Sequence, residues 1–176
     1  GQPAILVTPF SQSAFPYLTD QHPNLSNWEA IIETIQPPPT LLIVGAGHVG
    51  VQLAKVADLL GFQVAIQDDR PEWANEQLYP QAWKILNESI GSAIAQLESH
   101  TQLYAALVTR GYRYDLEALE ALLTRSRPCQ YLGMIGSEKR VRQVIHMVEK
   151  TTISADQLNS IYAPIGLDIG ALTPEE

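Results

Sequence analysis

The sequence predicts a doubly wound α/β fold with a mainly parallel sheet over residues 40 to 176, behind a short N-terminal arm of residues 1 to 39. Three observations predict it. Short apolar runs alternate with amphipathic stretches of helical length, the pattern of strand–helix–strand units joined by right-handed crossovers. The opening run of the domain, Leu41-Leu42-Ile43-Val44, is apolar at every position, as in a parallel strand covered on both faces. A glycine-rich turn, Gly45-Ala46-Gly47-His48-Val49-Gly50, joins that run to the first helical stretch.

The elements follow in order. Ala4 to Thr8 can form a strand. Ser26-Asn27-Trp28-Glu29 is a capping box, and Trp28, Ile31, Ile32 and Ile35 stand at helical spacing, so a helix is expected there. Pro37-Pro38-Pro39 ends that helix and forms a stiff linker. Leu41 to Val44 is the first strand of the sheet. Val49, Leu53, Val56 and Leu60 form the apolar stripe of a helix that stops at Gly61. Val64 to Gln67 and Trp83 to Leu86 are the second and third strands, followed by a helix bearing Ile90, Ile94 and Leu97. Leu103 to Val108 is the fourth, after which Asp115 can cap a helix with Leu116, Leu119 and Leu123 on one face. Gln130 to Ile135 is the fifth, and Ser137 can cap a helix carrying Val141, Val144, Ile145 and Val148. The expected strand order is 3-2-1-4-5, with room for a sixth strand.

Composition narrows the partners. Against 11 Lys and Arg stand 19 Asp and Glu, a formal charge of −8, which repels nucleic acid and anionic lipid. Neither nucleic acid nor membrane is expected as a partner. Any anion site must be local, made from backbone amides and a few placed cations. Cys129 is the only cysteine, so no intrachain disulfide or cysteine-rich metal centre can form, in keeping with a reducing cytoplasm. Asp20, His22 and His100 lack metal-ligand spacing, and no metal site is expected. The start lacks the basic and long apolar segments of a secretion signal, and no apolar run reaches membrane-spanning length. The chain opens at Gly1 without methionine and stops at Thr173-Pro174-Glu175-Glu176, a helix-start composition, so it reads as a fragment.

The glycine turn stands where a dinucleotide-binding turn of Rossmann type requires it: after a strand, opening a helix, before a strand that ends in Asp68-Asp69. Gly45 permits the tight turn, Gly47 lets backbone approach a phosphate, and Gly50 allows the helix to pack close to the strand. The helix N-terminus then offers free amides and a positive dipole end. Asp68, or Asp69 if the register slips by one, can accept from a ribose hydroxyl. At the switch point of the sheet, the segments after strands 1, 4 and 5 are expected to meet. These bring Thr109 and Arg110 from one side and Gly136 and Ser137 from the other. Arg110 can fork a phosphate or the edge of a pterin-like ring, or simply pair with Asp115. Ser137 suits a helix cap better than a ligand contact, His48 a pocket wall better than a base, and Cys129 a small core residue better than a nucleophile. No triad or acid–base pair can be assembled.

Taken together these segments resemble the C-terminal Rossmann domain of the XdhC/CoxI family, accessory proteins of xanthine dehydrogenase and carbon monoxide dehydrogenase. The resemblance is carried by Pro-Pro-Pro-Thr-Leu-Leu-Ile-Val-Gly-Ala-Gly-His-Val-Gly at 37–50 and Gly-Phe-Gln-Val-Ala-Ile-Gln-Asp-Asp-Arg-Pro-Glu at 61–72. Val-Thr-Arg-Gly-Tyr-Arg-Tyr-Asp-Leu-Glu-Ala-Leu at 108–119 and Tyr-Leu-Gly-Met-Ile-Gly-Ser at 131–137 extend it. Ala-Pro-Ile-Gly-Leu-Asp-Ile-Gly-Ala-Leu-Thr-Pro-Glu-Glu at 163–176 completes it. It implies a chaperone-like role: binding molybdenum cofactor, as molybdopterin or its dinucleotide form, protecting it during sulfuration and passing it to the apo-enzyme. The implied partners are a molybdenum hydroxylase and a cysteine desulfurase, and Asp168 enters the candidate site by family pattern alone. Three departures stand out. Residues 1 to 39 are at most a remnant of, or a substitute for, the separate N-terminal domain that family members usually carry, Tyr112 replaces a common histidine, and the chain stops before the helix that normally follows Thr-Pro-Glu-Glu. Symmetric pairing into a homodimer is also expected.

Two other readings use the same turn. An NAD(P)-dependent oxidoreductase would also need an acid–base pair and a substrate domain, which the sequence does not offer. A nucleotide-sensing interaction module would need the crevice only as a switch.

Overall fold

The computed structural model describes residues 3–11, 13–24, 29–151 and 153–175, in two compact units, Gly1–Pro38 and Pro39–Glu176. In the first, strands β1 (Ala4–Pro9), β2 (Tyr17–Thr19) and β3 (Ala30–Ile35) form an antiparallel sheet in the order β2-β1-β3. The helix expected from Ile31, Ile32 and Ile35 is therefore a strand. Its residues pair one for one with β1, from Ala30 opposite Pro9 to Ile35 opposite Ala4. Ile31, Ile32, Thr34 and Ile35 are all β-branched, which lowers helix propensity and suits a pleated surface. The positions 26–28 of the expected capping box lie outside the described residues.

The second unit holds a six-stranded parallel sheet of β4 (Thr40–Val44), β5 (Gln63–Gln67), β6 (Lys84–Leu86), β7 (Leu103–Leu107), β8 (Tyr131–Met134) and β9 (Ile161–Tyr162). Their order is β6-β5-β4-β7-β8-β9, which is the predicted 3-2-1-4-5 with the sixth strand in place. Register is continuous at the centre, with Val44 beside Gln67 on one side and Leu107 on the other. Helix α1 (His48–Leu59) packs on one face of the sheet with Ala74 and Tyr79 of the segment after β5. Helices α2 (Ile90–Gln96), α3 (Tyr112–Leu123) and α4 (Glu138–Val148) cover the other face. A short α5 (Ala155–Asn159) precedes β9. Leu42 and Val44 point to the second layer while Leu41 and Ile43 point to the first, which is why β4 is apolar at every position after Thr40.

One helix is rotated from its apolar pattern, with Leu53 of that pattern kept partly buried against the core. On α1 the buried residues are Gly50, Ala54 and Ala57, whereas Val49, Val56 and Leu60 of the predicted stripe are exposed. Small side chains let the helix approach the sheet closely, and close approach outweighs the transfer gain of the larger residues. Asp115 also departs from expectation. Gly111 is the N-cap of α3, and Asp115 lies in its first turn, fully buried.

Candidate functional site

The chain leaves β4 through α1 on one face and reaches β7, the other neighbour of β4, through α2 on the opposite face. A crevice opens at such a switch point, outside the carboxyl ends of the strands. The glycine turn forms its edge. Gly45 has φ +107°, and a Cβ there would stand 2.6 Å from the Val108 carbonyl oxygen, so only glycine fits between β4 and β7. A Cβ on Gly50 would stand 2.5 Å from the Gly45 carbonyl oxygen, which locks the start of α1 against the turn. Gly47 differs: it caps α1 with φ −77°, and its Cβ position meets no atom within 4 Å. Among the described residues no side chain caps α1, and no acid occupies its first turn, so its amides and positive dipole end stay available to an anion.

Asp68 is the hub beside this turn. Its Oδ2 accepts from the Ala46 amide at 2.9 Å and from Arg70 Nη2 at 2.8 Å. Its Oδ1 accepts from the Arg70 amide at 3.1 Å, Arg70 Nε at 2.8 Å and Arg110 Nη1 at 3.4 Å. The side chain is 4% exposed. Burial alone would raise its pKa, but the Arg70 guanidinium and the Ala46 amide outweigh it and bring the carboxyl from 3.8 down to about 2. A ribose contact at Asp68 would therefore need Arg70 to leave. Since the folded pKa is depressed, the stability Asp68 contributes is complete above pH 4 and is lost as pH falls towards 2, about 2 kcal/mol in all. Urea melts between pH 5 and pH 2 should show this acid limb in the wild type and lose it in Asp68→Asn. Parallel profiles would contradict it.

Arg110 spans the crevice. Its Nη1 and Nη2 donate to Asp69 Oδ1 and Oδ2 at 2.9 and 3.1 Å, its Nη2 also donates to the Tyr114 hydroxyl, and its guanidinium lies 4.1 Å from the centre of the Tyr114 ring. Asp115, its alternative ion partner by sequence, is taken by another cation. Arg140 Nε donates to Asp115 Oδ2 at 2.6 Å, and Arg140 Nη2 donates to the Thr109 carbonyl and hydroxyl at 3.1 and 2.9 Å. Thr109 in turn donates its hydroxyl to Asp115 Oδ1 at 2.7 Å. Burial is the larger influence on Asp115 and raises its pKa against the pull of Thr109 and Arg140.

These groups surround a cavity of about 300 Å³ walled by the ends of β4, β5 and β7, the start of α2 and one face of α3. Asp68, Asp69, Thr109, Arg110, Tyr114 and Glu117 bring polar atoms to it. Gly45, Asp68, Asp69, Thr109 and Arg110, all candidates from the sequence, thus come together. Other candidates stand apart from the cavity wall, Gly47 and Gly50 of the glycine turn among them. Gly136 and Ser137 are outside it, with Ser137 capping α4 by accepting from the Arg140 amide, and Arg140 reaches Thr109 and Asp115 behind the wall. His48 sits at the exposed start of α1 with its ring edge-on to Trp73, 5.4 Å between centres. Asp168 lies in the exposed stretch after β9. Cys129 packs partly buried against the core, where burial pushes its thiol pKa up. Arg70, Tyr114, Glu117 and Arg140 are not among the sequence candidates. A basic residue directly after the Asp68-Asp69 strand end was the available signal for Arg70; Tyr114 and Glu117 share a helix face only once the start of α3 is known.

No helix among the described residues is long and apolar enough to cross a membrane.

Comparison with known proteins agrees with this architecture. Residues 41–176 match the family described as the XdhC Rossmann domain. The chain is 32% identical over 139 residues to uncharacterized protein YqeB of Escherichia coli (strain K12), covering 78% of this chain and 25% of that one. It is 28% identical over 145 residues to a protein of Bacillus subtilis (strain 168) named as a probable xanthine dehydrogenase subunit, covering 82% of this chain and 41% of that one. It thus spans less than half the length of either relative. The crystal structure of a xanthine dehydrogenase from Bacillus halodurans matches in fold, with a TM-score of 0.71 at 22% identity, over 100% of this chain and 58% of that one.

Proposed function

Because the chain belongs to the XdhC family, as its Rossmann domain, we propose that it serves the maturation of molybdenum hydroxylases by holding molybdenum cofactor, or a nucleotide, in the crevice beside its glycine turn. In this reading it is a cofactor-handling protein of the cytoplasm, working as a homodimer with a molybdenum hydroxylase apo-enzyme and a cysteine desulfurase. The cofactor is cargo: its dithiolene-bound molybdenum does the chemistry later, in the recipient enzyme. What supports the reading most is the open, uncapped start of α1 over Gly47, at the switch point of a parallel sheet. Gly45 and Gly50 are needed by the protein's own packing, but Gly47 leaves free space where an anionic oxygen could meet amides.

The chain's residues divide the work. The amides at Gly47 and His48 would hold the phosphate, and Arg110 and Thr109 would close the far side. An oxidoreductase reading gains nothing from the geometry. The carboxylate that would hold a dinucleotide ribose is already filled by Ala46, Arg70 and Arg110. Gly47→Val tests the proposal cleanly, because φ −77° and open space accommodate the side chain without strain. Calorimetric titration with purified molybdenum cofactor and with nucleotides should show binding by the wild type and a loss of at least about tenfold in the variant, a cost near 1.4 kcal/mol. The melting temperature should hardly move. Equal affinity in both proteins would remove the site.

A further inference from the structure

Resting on that crevice reading, we propose that the ion pair between Arg110 and Asp69 is a gate: it separates the cavity from the phosphate position at the start of α1, and it must open for one ligand to occupy both. Strand register places it. Val44 lies between Gln67 of β5 and Leu107 of β7, so the glycine turn leaves the sheet between the ends of those two strands. A bond from Arg110, beyond β7, to Asp69, beyond β5, therefore passes over the end of β4. On one side of that span stands the cavity, walled by Ser89 and Ile90 at the start of α2 and by Tyr114 and Glu117 of α3. Both helices cover the same face of the sheet. On the other side stands α1 with Gly47, against the opposite face and outside the cavity wall. A molecule with its phosphate on the α1 amides and its body in the cavity must cross this line.

Three carboxylates around the crevice pair with arginines, and this pair is the one that opens most easily. Asp115 is fully buried on Arg140, and Asp68 is 4% exposed on Arg70. The Asp69 side chain is 50% exposed and that of Arg110 34%, so water can replace the bonds between them. Asp68 also holds the Ala46 amide, and releasing it would undo the glycine turn. Asp69 instead presents both oxygens to Arg110, at 2.9 and 3.1 Å, while Arg110 reaches Asp68 only at 3.4 Å. The released guanidinium keeps a support on the cavity side. It lies 4.1 Å from the centre of the Tyr114 ring, and its Nη2 donates to the Tyr114 hydroxyl. A ligand phosphate offers two oxygens to the same fork, so opening exchanges one charge-assisted pair for another.

Titrations of the whole chain and of Asp69→Ala with inorganic pyrophosphate and with adenosine and guanosine diphosphates test this. Pyrophosphate needs only the α1 amides, whereas a nucleoside diphosphate must also pass the gate to seat its base in the cavity. Removing an acid strengthens the binding of every anion, so the change for pyrophosphate sets the background. At least one nucleoside diphosphate should gain about fivefold in affinity beyond that background, the upper end of what an exposed ion pair is worth. Phenylglyoxal, which reacts with guanidinium groups, gives a readout that needs no ligand. Mass spectrometry of the digested protein should find Arg110 modified at least about threefold faster in Asp69→Ala than in the wild type, as its fork is released. Equal reactivity of Arg110 in the two proteins, or a nucleotide gain no larger than that of pyrophosphate, overturns the gate and leaves the crevice reading standing. Failure of both nucleoside diphosphates to bind either protein overturns both.

Discussion

Arg140→Ala should cost about 3–5 kcal/mol of folding stability, the range for removing one partner of a buried ion pair. Asp115 is fully buried, and its two oxygens are served by Thr109 and Arg140. Without Arg140 the buried carboxylate keeps one neutral donor. The Thr109 carbonyl and hydroxyl also lose a donor, which loosens the segment that walls the crevice. The loss should depend on pH in a definite direction. Burial already raises the Asp115 pKa, and losing the cation raises it further. A group whose folded pKa is raised contributes fully below its unfolded value and loses that contribution as pH rises through the folded value. The stability gap between variant and wild type should therefore be small near pH 4 and grow towards pH 7. Adding Asp115→Asn should recover part of it at pH 7. A gap independent of pH would mean that Arg140 acts only through packing.

Gly45→Ala should be nearly as damaging, at about 2–4 kcal/mol, and for an unrelated reason. With φ at +107° an alanine is strained whatever the space, and its Cβ would also lie 2.6 Å from the Val108 oxygen, 2.8 Å from its carbonyl carbon and 2.9 Å from the Thr109 Cα. All three are backbone atoms at the end of a central strand and cannot swing aside. A thermal melt of Gly45→Ala beside Gly47→Val separates the two glycines: the first should fall by roughly 8–16 °C, taking about 4 °C per kcal/mol for a domain of this size, and the second should barely shift. Similar melting temperatures for the two would overturn the assignment of Gly45 to structure and Gly47 to ligand.

The sheet is readable in the sequence because its strands are short apolar runs, each followed by a turn residue or helix cap, and right-handed crossovers leave few ways to order them. The crevice follows from that order, and with it the meeting of Gly45, Asp68 and Arg110. The inward face of α1 does not follow. Gly50, Ala54 and Ala57 are weakly apolar and are drowned by Val49, Val56 and Leu60 in any pattern of hydrophobicity, yet their smallness is what fits the helix to the sheet. β3 reads wrongly as a helix because apolar residues at 31, 32 and 35 satisfy either element, and the six pairs with β1 that decide between them lie outside the local window. The ion pairs are beyond reach for a similar reason. Arg70, Arg110 and Arg140 compete for Asp68, Asp69 and Asp115 over separations of up to 42 residues, and only the packed structure says which cation meets which acid.

One carboxylate, that of Asp68, is held in common by the tip of the glycine turn, by the residue two places after it and by a side chain from the far wall. Three stretches of chain remote in sequence are thereby knotted at a single point. The far wall of the crevice and the tip of the glycine turn are thus fastened to the same two oxygens, so replacing Asp68 removes an acceptor from both at once.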